Sequence, residues 1–169
     1  PVTVVVSLKG WVRALKGQEV DVAALAFKAG DGLYGAFPCR SVDTLVVIGG
    51  NGRVYSIAVA GLPGGRGDGA PVTSLIDIEV GTQPAHYVAG AADTLLLLAH
   101  TGGFGLLAQV GDMQSRQRGG KTFLALEAGE HLLPPAMVSP RHTRVACLSL
   151  SGRLLVFPLP DLKRQANGG

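Results

Sequence analysis

Short apolar runs recur along the whole chain, and most of them are bounded by glycine, proline or aspartate. Residues 2–6, 45–48 and 95–99 are nearly continuous apolar runs, whereas residues 76–78 alternate apolar and polar side chains. These lengths and boundaries predict β-strands, and the continuous runs are typical of strands buried on both faces. Glycine or proline interrupts nearly every window of about fifteen residues, so long helices are not expected. The pattern therefore predicts an all-β protein.

Three landmarks recur along the chain in one common register, at a spacing of about fifty residues. The first is a hairpin with a turn glycine, at Gly10, Gly52, Gly102 and Gly152, which are 42, 50 and 50 residues apart. The second precedes the hairpin, where residues 43–48 (DTLVVI) match residues 93–98 (DTLLLL). The third is a strand that ends at Gly30, Gly81 and Gly129. Because several independent landmarks agree, the sequence predicts an internal repeat.

Each repeat contains roughly four strands, which is the content of one blade of a β-propeller. A single blade cannot bury both faces of its sheet, so stacked blades must build the core. The chain is therefore expected to hold about three and a half four-stranded blades, as an incomplete propeller or an open arc. The repeats are placed at residues 1–42, 43–92, 93–142 and, in part, 143–169. Apolar blade faces should be exposed at both ends of this series.

Composition excludes several other classes of protein. Apolar residues make up 47% of the chain and charged residues 16%, which is too apolar for a disordered chain. The 25 glycines lack the three-residue period of collagen. No apolar run approaches the ~20 residues that span a bilayer, and no signal peptide is expected at Pro1. Two cysteines, Cys39 and Cys147, are too few for a disulfide framework, which favours a reducing compartment.

Three segments carry a resemblance to a known family: residues 2–17 (VTVVVSLKGWVRALKG), 52–72 (GRVYSIAVAGLPGGRGDGAPV) and 152–162 (GRLLVFPLPDL). They resemble the C-terminal DNA-binding domain in the A subunit of bacterial DNA topoisomerase IV, and the similarity covers nearly the whole chain. The resemblance implies a β-pinwheel, a propeller variant whose blades exchange strands with their neighbours. It also implies five or six blades in the intact domain, an outer rim around which DNA bends, and a chain that is part of a larger protein.

One motif separates this sequence from the related protein of gyrase. Gyrase carries the box Gln-Arg-Arg-Gly-Gly-Lys-Gly in its first blade, but the first repeat here is eight residues shorter and has only residues 16–19 (KGQE) at that place. The absence of an intact box resembles topoisomerase IV. A partial echo occurs in the third repeat, at residues 116–121 (RQRGGK), where we expect DNA contact.

The basic residues support a nucleic-acid partner independently of the family, although the net charge is only +3. Arginines recur near the turn glycines and in the Gly-rich loops that follow, and equivalent positions on stacked blades point the same way. Repeated arginines would then line one rim and bind phosphates. For any single arginine, a solvated side chain at a strand end is an equally good interpretation. The candidate DNA-binding residues are Arg13, Lys16, Arg53, Arg66, Arg116, Arg118, Lys121 and Arg153.

The resemblance implies a non-catalytic domain that binds and bends duplex DNA without sequence specificity. It would support strand-passage segment selection, decatenation and supercoil relaxation in chromosome segregation. The tyrosyl phosphodiester chemistry, with Mg²⁺ and ATP, would belong to other domains and to the B subunit of the enzyme. Duplex DNA, the B subunit and the core of the A subunit are thus the expected partners, in the cytoplasm, at the nucleoid and peripherally at the inner membrane.

No cofactor, metal or small-molecule substrate is expected for this domain, because His86, His100, His131 and His142 show no metal-ligand spacing. A protein-interaction β-propeller without DNA binding is the main alternative, and a propeller enzyme is a weaker one because no converging acids are visible.

Overall fold

The computed structural model describes residues 1–169, which form thirteen β-strands and five short 3₁₀ helices and no α-helix. The expectation of an all-β protein is therefore confirmed. No helix has the length and apolarity needed to cross a membrane. The strands are β1 (Val2–Ser7), β2 (Trp11–Lys16), β3 (Leu33–Cys39), β4 (Thr44–Gly49), β5 (Arg53–Ala58), β6 (Ala70–Pro71), β7 (Pro84–Gly90), β8 (Leu95–Ala99), β9 (Gly105–Gln109), β10 (Lys121–Thr122), β11 (Ala136–Val138), β12 (Arg144–Leu148) and β13 (Leu154–Pro158). The 3₁₀ helices are Val22–Ala24, Val59–Gly61, Val72–Ser74, Val110–Met113 and Leu159–Asp161.

The strands form four antiparallel sheets, each built around one hairpin. The first sheet has the order β3-β1-β2-β6, the second β10-β5-β4-β7 and the third β11-β8-β9, and the hairpin β12–β13 stands alone. The sheets follow one another in an open series and do not close into a ring. The expected incomplete propeller is therefore confirmed.

Neighbouring repeats exchange strands at one edge of each sheet. Strand β6 follows the second hairpin in the chain but pairs with β2 of the first sheet, where Val12 faces Ala70. Strand β10 likewise pairs with β5 of the second sheet, where Val54 faces Lys121. Residues 163–165 also lie along β9, where the Leu107 N–H donates to the Lys163 carbonyl at 3.1 Å. This contact is a parallel bridge between Leu107 and Arg164, like the bridge between Ala14 of β2 and Gly64, and it therefore matches the segment before β6. The strand exchange implied by the resemblance to a β-pinwheel is therefore present.

The core lies between the sheets and explains the continuous apolar runs. Leu45 and Val47 of β4 belong to the cluster shared with the first sheet, and both are fully buried. Val46 and Ile48 of the same strand belong to the cluster shared with the third sheet. Because side chains alternate along a strand, a central blade must be apolar at successive positions to bury both faces.

The third repeat is shifted by one residue from the register predicted by the sequence. Gly103, not Gly102, has the positive φ (90°) that Gly52 has (85°), and its N–H donates to the His100 carbonyl as the Gly52 N–H donates to Gly49. The third hairpin has the same length as the second but is offset from it by 51 residues, since the Val110 N–H donates to Thr94 as the Val59 N–H donates to Asp43. The extra residue therefore lies before β8, and the matching of residues 43–48 with 93–98 is wrong by one. A slip of one residue exchanges the two faces of a strand.

This shift decides which leucines of β8 enter the core between the second and third sheets. Leu96 and Leu98 pack there and are 0% and 2% exposed. Leu95 and Leu97 point to the opposite face and are only half-buried.

The two ends of the series differ in how their apolar faces are covered. At the C-terminal end, the hairpin β12–β13 has no strand on either side, and Leu148, Leu150 and Leu154 are exposed. At the N-terminal end, Val5 is fully buried on the face of β1 that points away from the second sheet. Arg13, which is paired with Val5, contacts Ala26 of the segment that follows the first hairpin. Exposure of apolar faces is therefore confirmed at the C-terminal end, and its prediction for the N-terminal end is wrong.

Candidate nucleic-acid interface

Contacts between edge strands distinguish an inner from an outer edge of the blades. Strands β3 and β7 meet through Tyr34, whose hydroxyl lies 2.8 Å from Nδ1 of His86. Nε2 of His86 lies 3.0 Å from the Leu132 carbonyl, which can only accept, so Nε2 donates and Nδ1 accepts from Tyr34. This chain of contacts links the first three sheets, and we call this side the inner edge. The exchanged strands β6 and β10 lie at the opposite side, the outer edge.

Two Gly-rich loops lead into the exchanged strands at the outer edge. The first Gly-rich loop (residues 64–69) precedes β6, and the second Gly-rich loop (residues 115–120) precedes β10. Gly69 and Gly120 have positive φ, and a Cβ on either would stand about 2 Å from a carbonyl oxygen of the neighbouring strand: 2.2 Å from Val12 and 2.1 Å from Val54. Both loops therefore depend on a glycine that lies directly against the strand of the preceding repeat.

Three of the candidate arginines are exposed in these loops. Arg66 belongs to the first Gly-rich loop, and Arg116 and Arg118 belong to the second. Nε of Arg118 lies 3.4 Å from the carboxylate of Asp77, but both side chains are more than 60% exposed, so water screens the pair. These guanidinium groups can reach a phosphate without any rearrangement of the fold.

Three further candidates lie on different elements. Lys16 is exposed at the end of β2, and Arg153 is exposed directly after the turn of the last hairpin. Lys121 on β10 is half-buried, and its Nζ donates to the Asp112 carbonyl at 2.7 Å. The structure thus gives Lys121 a partner inside the protein, while Lys16 and Arg153 face solvent.

The guanidinium groups of the remaining two candidates, Arg13 and Arg53, donate to backbone carbonyls of the protein; Arg13 is buried and Arg53 is half-buried. Arg13 is only 6% exposed and donates from Nη1 to the Gly67 carbonyl and from Nη2 to the Ala26 carbonyl, both at 2.7 Å. Nε and Nη2 of Arg53 donate to the carbonyls of Gly119 and Gly120, at 2.6 and 3.1 Å. A phosphate could reach Arg13 only if the first Gly-rich loop moved away.

One ion pair was missed by the sequence reasoning. The guanidinium group of Arg164 donates to both carboxylate oxygens of Asp112, at 2.6 and 2.9 Å, and so ties the exchanged segment 163–165 to the third sheet. The hydrogen bond from Arg164 lowers the pKa of the Asp112 carboxyl, and the bond from the Gln109 N–H acts in the same direction. The only sequence signal was the spacing of Gln109 and Asp112, which form a capping box at the start of a 3₁₀ helix.

A cavity of about 800 Å³, lined by both apolar and polar side chains, separates the third sheet from residues 124–132. Leu106 lines this cavity, and it stands three residues after the turn glycine Gly103, where the second repeat has Tyr55 three residues after Gly52. Tyr55 is fully buried, and its hydroxyl accepts a hydrogen bond from the Glu79 N–H. The smaller side chain of Leu106 therefore leaves space that Tyr55 fills between the first two sheets. No group of three or more His, Cys, Asp or Glu side chains comes together in the chain.

Comparison with known proteins agrees with the architecture described above. The chain is 34% identical to the A subunit of DNA topoisomerase 4 from Salmonella typhimurium over 168 residues, which is 99% of this chain but 22% of the relative. The solved C-terminal domain of E. coli ParC is 33% identical, with a TM-score of 0.89, over 99% of this chain and 68% of that one. The DNA gyrase A C-terminal domain, at 18% identity and a TM-score of 0.66, shares the fold. No protein-family model matches the chain.

Proposed function

Because the chain belongs to the family of C-terminal domains found in the A subunit of DNA topoisomerase 4, we propose that it is a non-catalytic module that binds duplex DNA along its outer edge. The observation that carries this proposal is the placement of exposed arginines in the two Gly-rich loops of successive repeats. Guanidinium groups are permanently charged and match phosphate oxygens in geometry, so they suit a partner that is recognised by its backbone.

The contacts proposed for DNA are those that are exposed: Arg66, Arg116 and Arg118 in the loops, with Lys16 on the first hairpin and Arg153 on the last. Binding at several points along a curved edge requires the duplex to bend. Bending a site of ~20–30 base pairs costs about 1–6 kcal/mol, which distributed phosphate contacts must offset. Contacts of this kind position DNA without reading its sequence.

The wider role follows from the family and belongs to the same proposal. The chain spans about a fifth (22%) of the length of the Salmonella relative, so strand passage, decatenation and supercoil relaxation are proposed for a larger protein. In that protein this module would hold a DNA segment for the catalytic core, and the B subunit would supply the ATP-dependent step. Mg²⁺ is likewise proposed for the core and not for this module.

Salt dependence of duplex binding tests the proposal. Each neutralised phosphate contributes a slope of about −0.9 in a plot of log affinity against log salt, so three to five contacts should give a steep fall. The double variant Arg116→Glu/Arg118→Glu should bind markedly more weakly and remain folded. The matched control is Arg141→Glu/Arg144→Glu, which changes the net charge equally at two exposed residues where the last hairpin begins. A flat salt plot, or equal losses in the two double variants, would contradict the proposal.

A further inference from the structure

The exchanged strands are held by very short ladders. Strand β6 pairs with β2 at only two positions, and one of its two residues is Pro71, which has no N–H to donate. Strand β10 also pairs with β5 at only two positions. Outside these ladders, one backbone bond holds each loop segment to the preceding repeat: the Ala14 N–H donates to the Pro63 carbonyl at 2.8 Å, and the Asp77 N–H donates to the Arg118 carbonyl at 3.0 Å. The loops are therefore fixed by few backbone hydrogen bonds, and loops are the most mobile parts of a fold.

An arginine with its guanidinium group turned into the protein supplements the ladder in both repeats. Arg13 on β2 donates to the Gly67 carbonyl in the first Gly-rich loop, and Arg53 on β5 donates to the Gly119 and Gly120 carbonyls in the second. Nη1 of Arg53 also lies 3.4 Å from the hydroxyl of Thr122 on β10. Val12 and Val54 are matching positions, because each faces the first residue of an exchanged strand. Arg13 follows Val12 and Arg53 precedes Val54. Since side chains alternate along a strand, both arginines lie on the face opposite to these valines.

The acceptors are backbone carbonyls beside the exposed arginines. Gly67 directly follows Arg66, and Gly119 directly follows Arg118. A fixed carbonyl at the next residue limits where the preceding Cα, and with it the side chain, can lie. Bonds from a charged donor are about twice as strong as neutral ones, and a planar guanidinium can serve two carbonyls at once.

From this geometry we propose that Arg13 and Arg53 are positioning residues: each fastens the Gly-rich loop of the following repeat to its own blade and thereby holds Arg66, Arg116 and Arg118 in place for phosphates. The second half of this statement rests on the proposed function. The first half concerns the protein alone and can be measured without DNA.

We call this fastening of a Gly-rich loop by an arginine of the preceding blade the latch. It is tested by trypsin cleavage of the folded chain after Arg116 and Arg118. Arg53→Gln should raise the cleavage rate at these bonds by about tenfold or more, because loss of charged hydrogen bonds frees the loop. Arg53→Lys should also raise the cleavage rate, since the single ammonium nitrogen of lysine cannot occupy the positions of both Nε and Nη2, which donate to the two carbonyls. Arg141→Gln is the control for loss of one charge and should leave the rate unchanged. If Arg53→Gln does not fold, the milder variant Arg53→Lys decides the question. An unchanged cleavage rate in Arg53→Lys would refute the proposal that Arg53 fastens the loop.

The consequence for DNA is tested by a double-mutant cycle on duplex affinity. Arg53→Gln should weaken binding by about tenfold in the wild-type background and have almost no effect when Arg116→Gln/Arg118→Gln is already present. An arginine that contacted phosphate directly, or one that affected only global stability, would cost the same in both backgrounds, and that result would refute the positioning role. If the wild-type chain did not bind duplex DNA, the proposed function would fail, while the cleavage assay would still decide the latch.

Discussion

Gly120 and Gly119 are neighbours in the second Gly-rich loop, and they should respond in opposite ways to substitution by alanine. Gly120 has a φ of +65°, and its Cβ would stand 2.1 Å from the Val54 carbonyl oxygen. A Cβ added to Gly119 meets nothing within 4 Å, and its φ is not positive. The pair therefore separates the close approach of loop and strand from the general effect of removing a glycine.

The magnitude follows from three contributions. A left-handed conformation costs a residue with a Cβ about 1–2 kcal/mol. Moving the loop away from Val54 also weakens the bonds from Arg53 to Gly119 and Gly120, and hydrogen bonds to a charged group contribute about 1.5–3 kcal/mol each. Alanine also lowers the conformational entropy of the unfolded chain, which raises the free energy of unfolding by about 0.4–1 kcal/mol. Gly120→Ala should thus lower the free energy of unfolding by about 2–4 kcal/mol, whereas Gly119→Ala should leave it unchanged or raise it by up to about 1 kcal/mol.

Denaturant-induced unfolding of the two variants, with equal m-values as a check on two-state behaviour, measures this difference. Equal stabilities within about 0.5 kcal/mol would refute the reasoning that the loop depends on direct contact between a glycine and the strand. A loss of DNA affinity in Gly120→Ala that exceeds the loss in Gly119→Ala would add independent support for the outer edge.

Three further predictions concern the core and the titrating groups. Leu96→Ala should lower the free energy of unfolding, measured in denaturant, by about 2–5 kcal/mol, and Leu95→Ala should lower it clearly less. The reason is that, of these two leucines, only Leu96 is fully buried between the second and third sheets. The reverse order would contradict the one-residue shift. Arg164 lowers the pKa of Asp112 below its ordinary value of 3.8, so the stabilisation is present above that pH and is lost as the pH falls through the lowered value. Asp112→Asn should accordingly be less stable than the wild type near neutral pH, with a difference that shrinks in acid and not in base. Burial raises the pKa of Tyr87 from 10.0 to about 12, so the free energy of unfolding should fall as the pH rises between these values. A fall of equal size in Tyr87→Phe would show that Tyr87 is not the group responsible.

The blade architecture could be predicted because glycine positions and apolar runs are local features of the sequence. Gly10, Gly52 and Gly152 have the positive φ that a tight turn requires. The position of the third turn could not be predicted to the residue, since Gly102 and Gly103 are adjacent and only the hydrogen bond to His100 distinguishes them. Strands of two residues, such as β6, carry no periodicity at all, so the strand exchange was accessible only through the resemblance to a family.

The candidate interface was predictable in composition but not in detail. The sequence indicates which arginines recur near turns and Gly-rich loops, and Arg66 and Arg116 are indeed exposed. It does not indicate whether a guanidinium group faces solvent or a carbonyl of another repeat, because that depends on contacts between residues 54 or more positions apart, as for Arg13 and Gly67. The ion pair of Asp112 and Arg164, 52 residues apart, escaped for the same reason.

Hydrogen exchange of the backbone amides, with and without a duplex of about 30 base pairs at low salt, tests the central claim most directly. Exchange in residues 64–69 and 115–121 should slow on addition of DNA, and exchange in the inner-edge strands β3 and β7 should not change. Protection confined to β3 and β7 or to the hairpin β12–β13, with none in the two Gly-rich loops, would contradict the claim that duplex DNA binds at the outer edge.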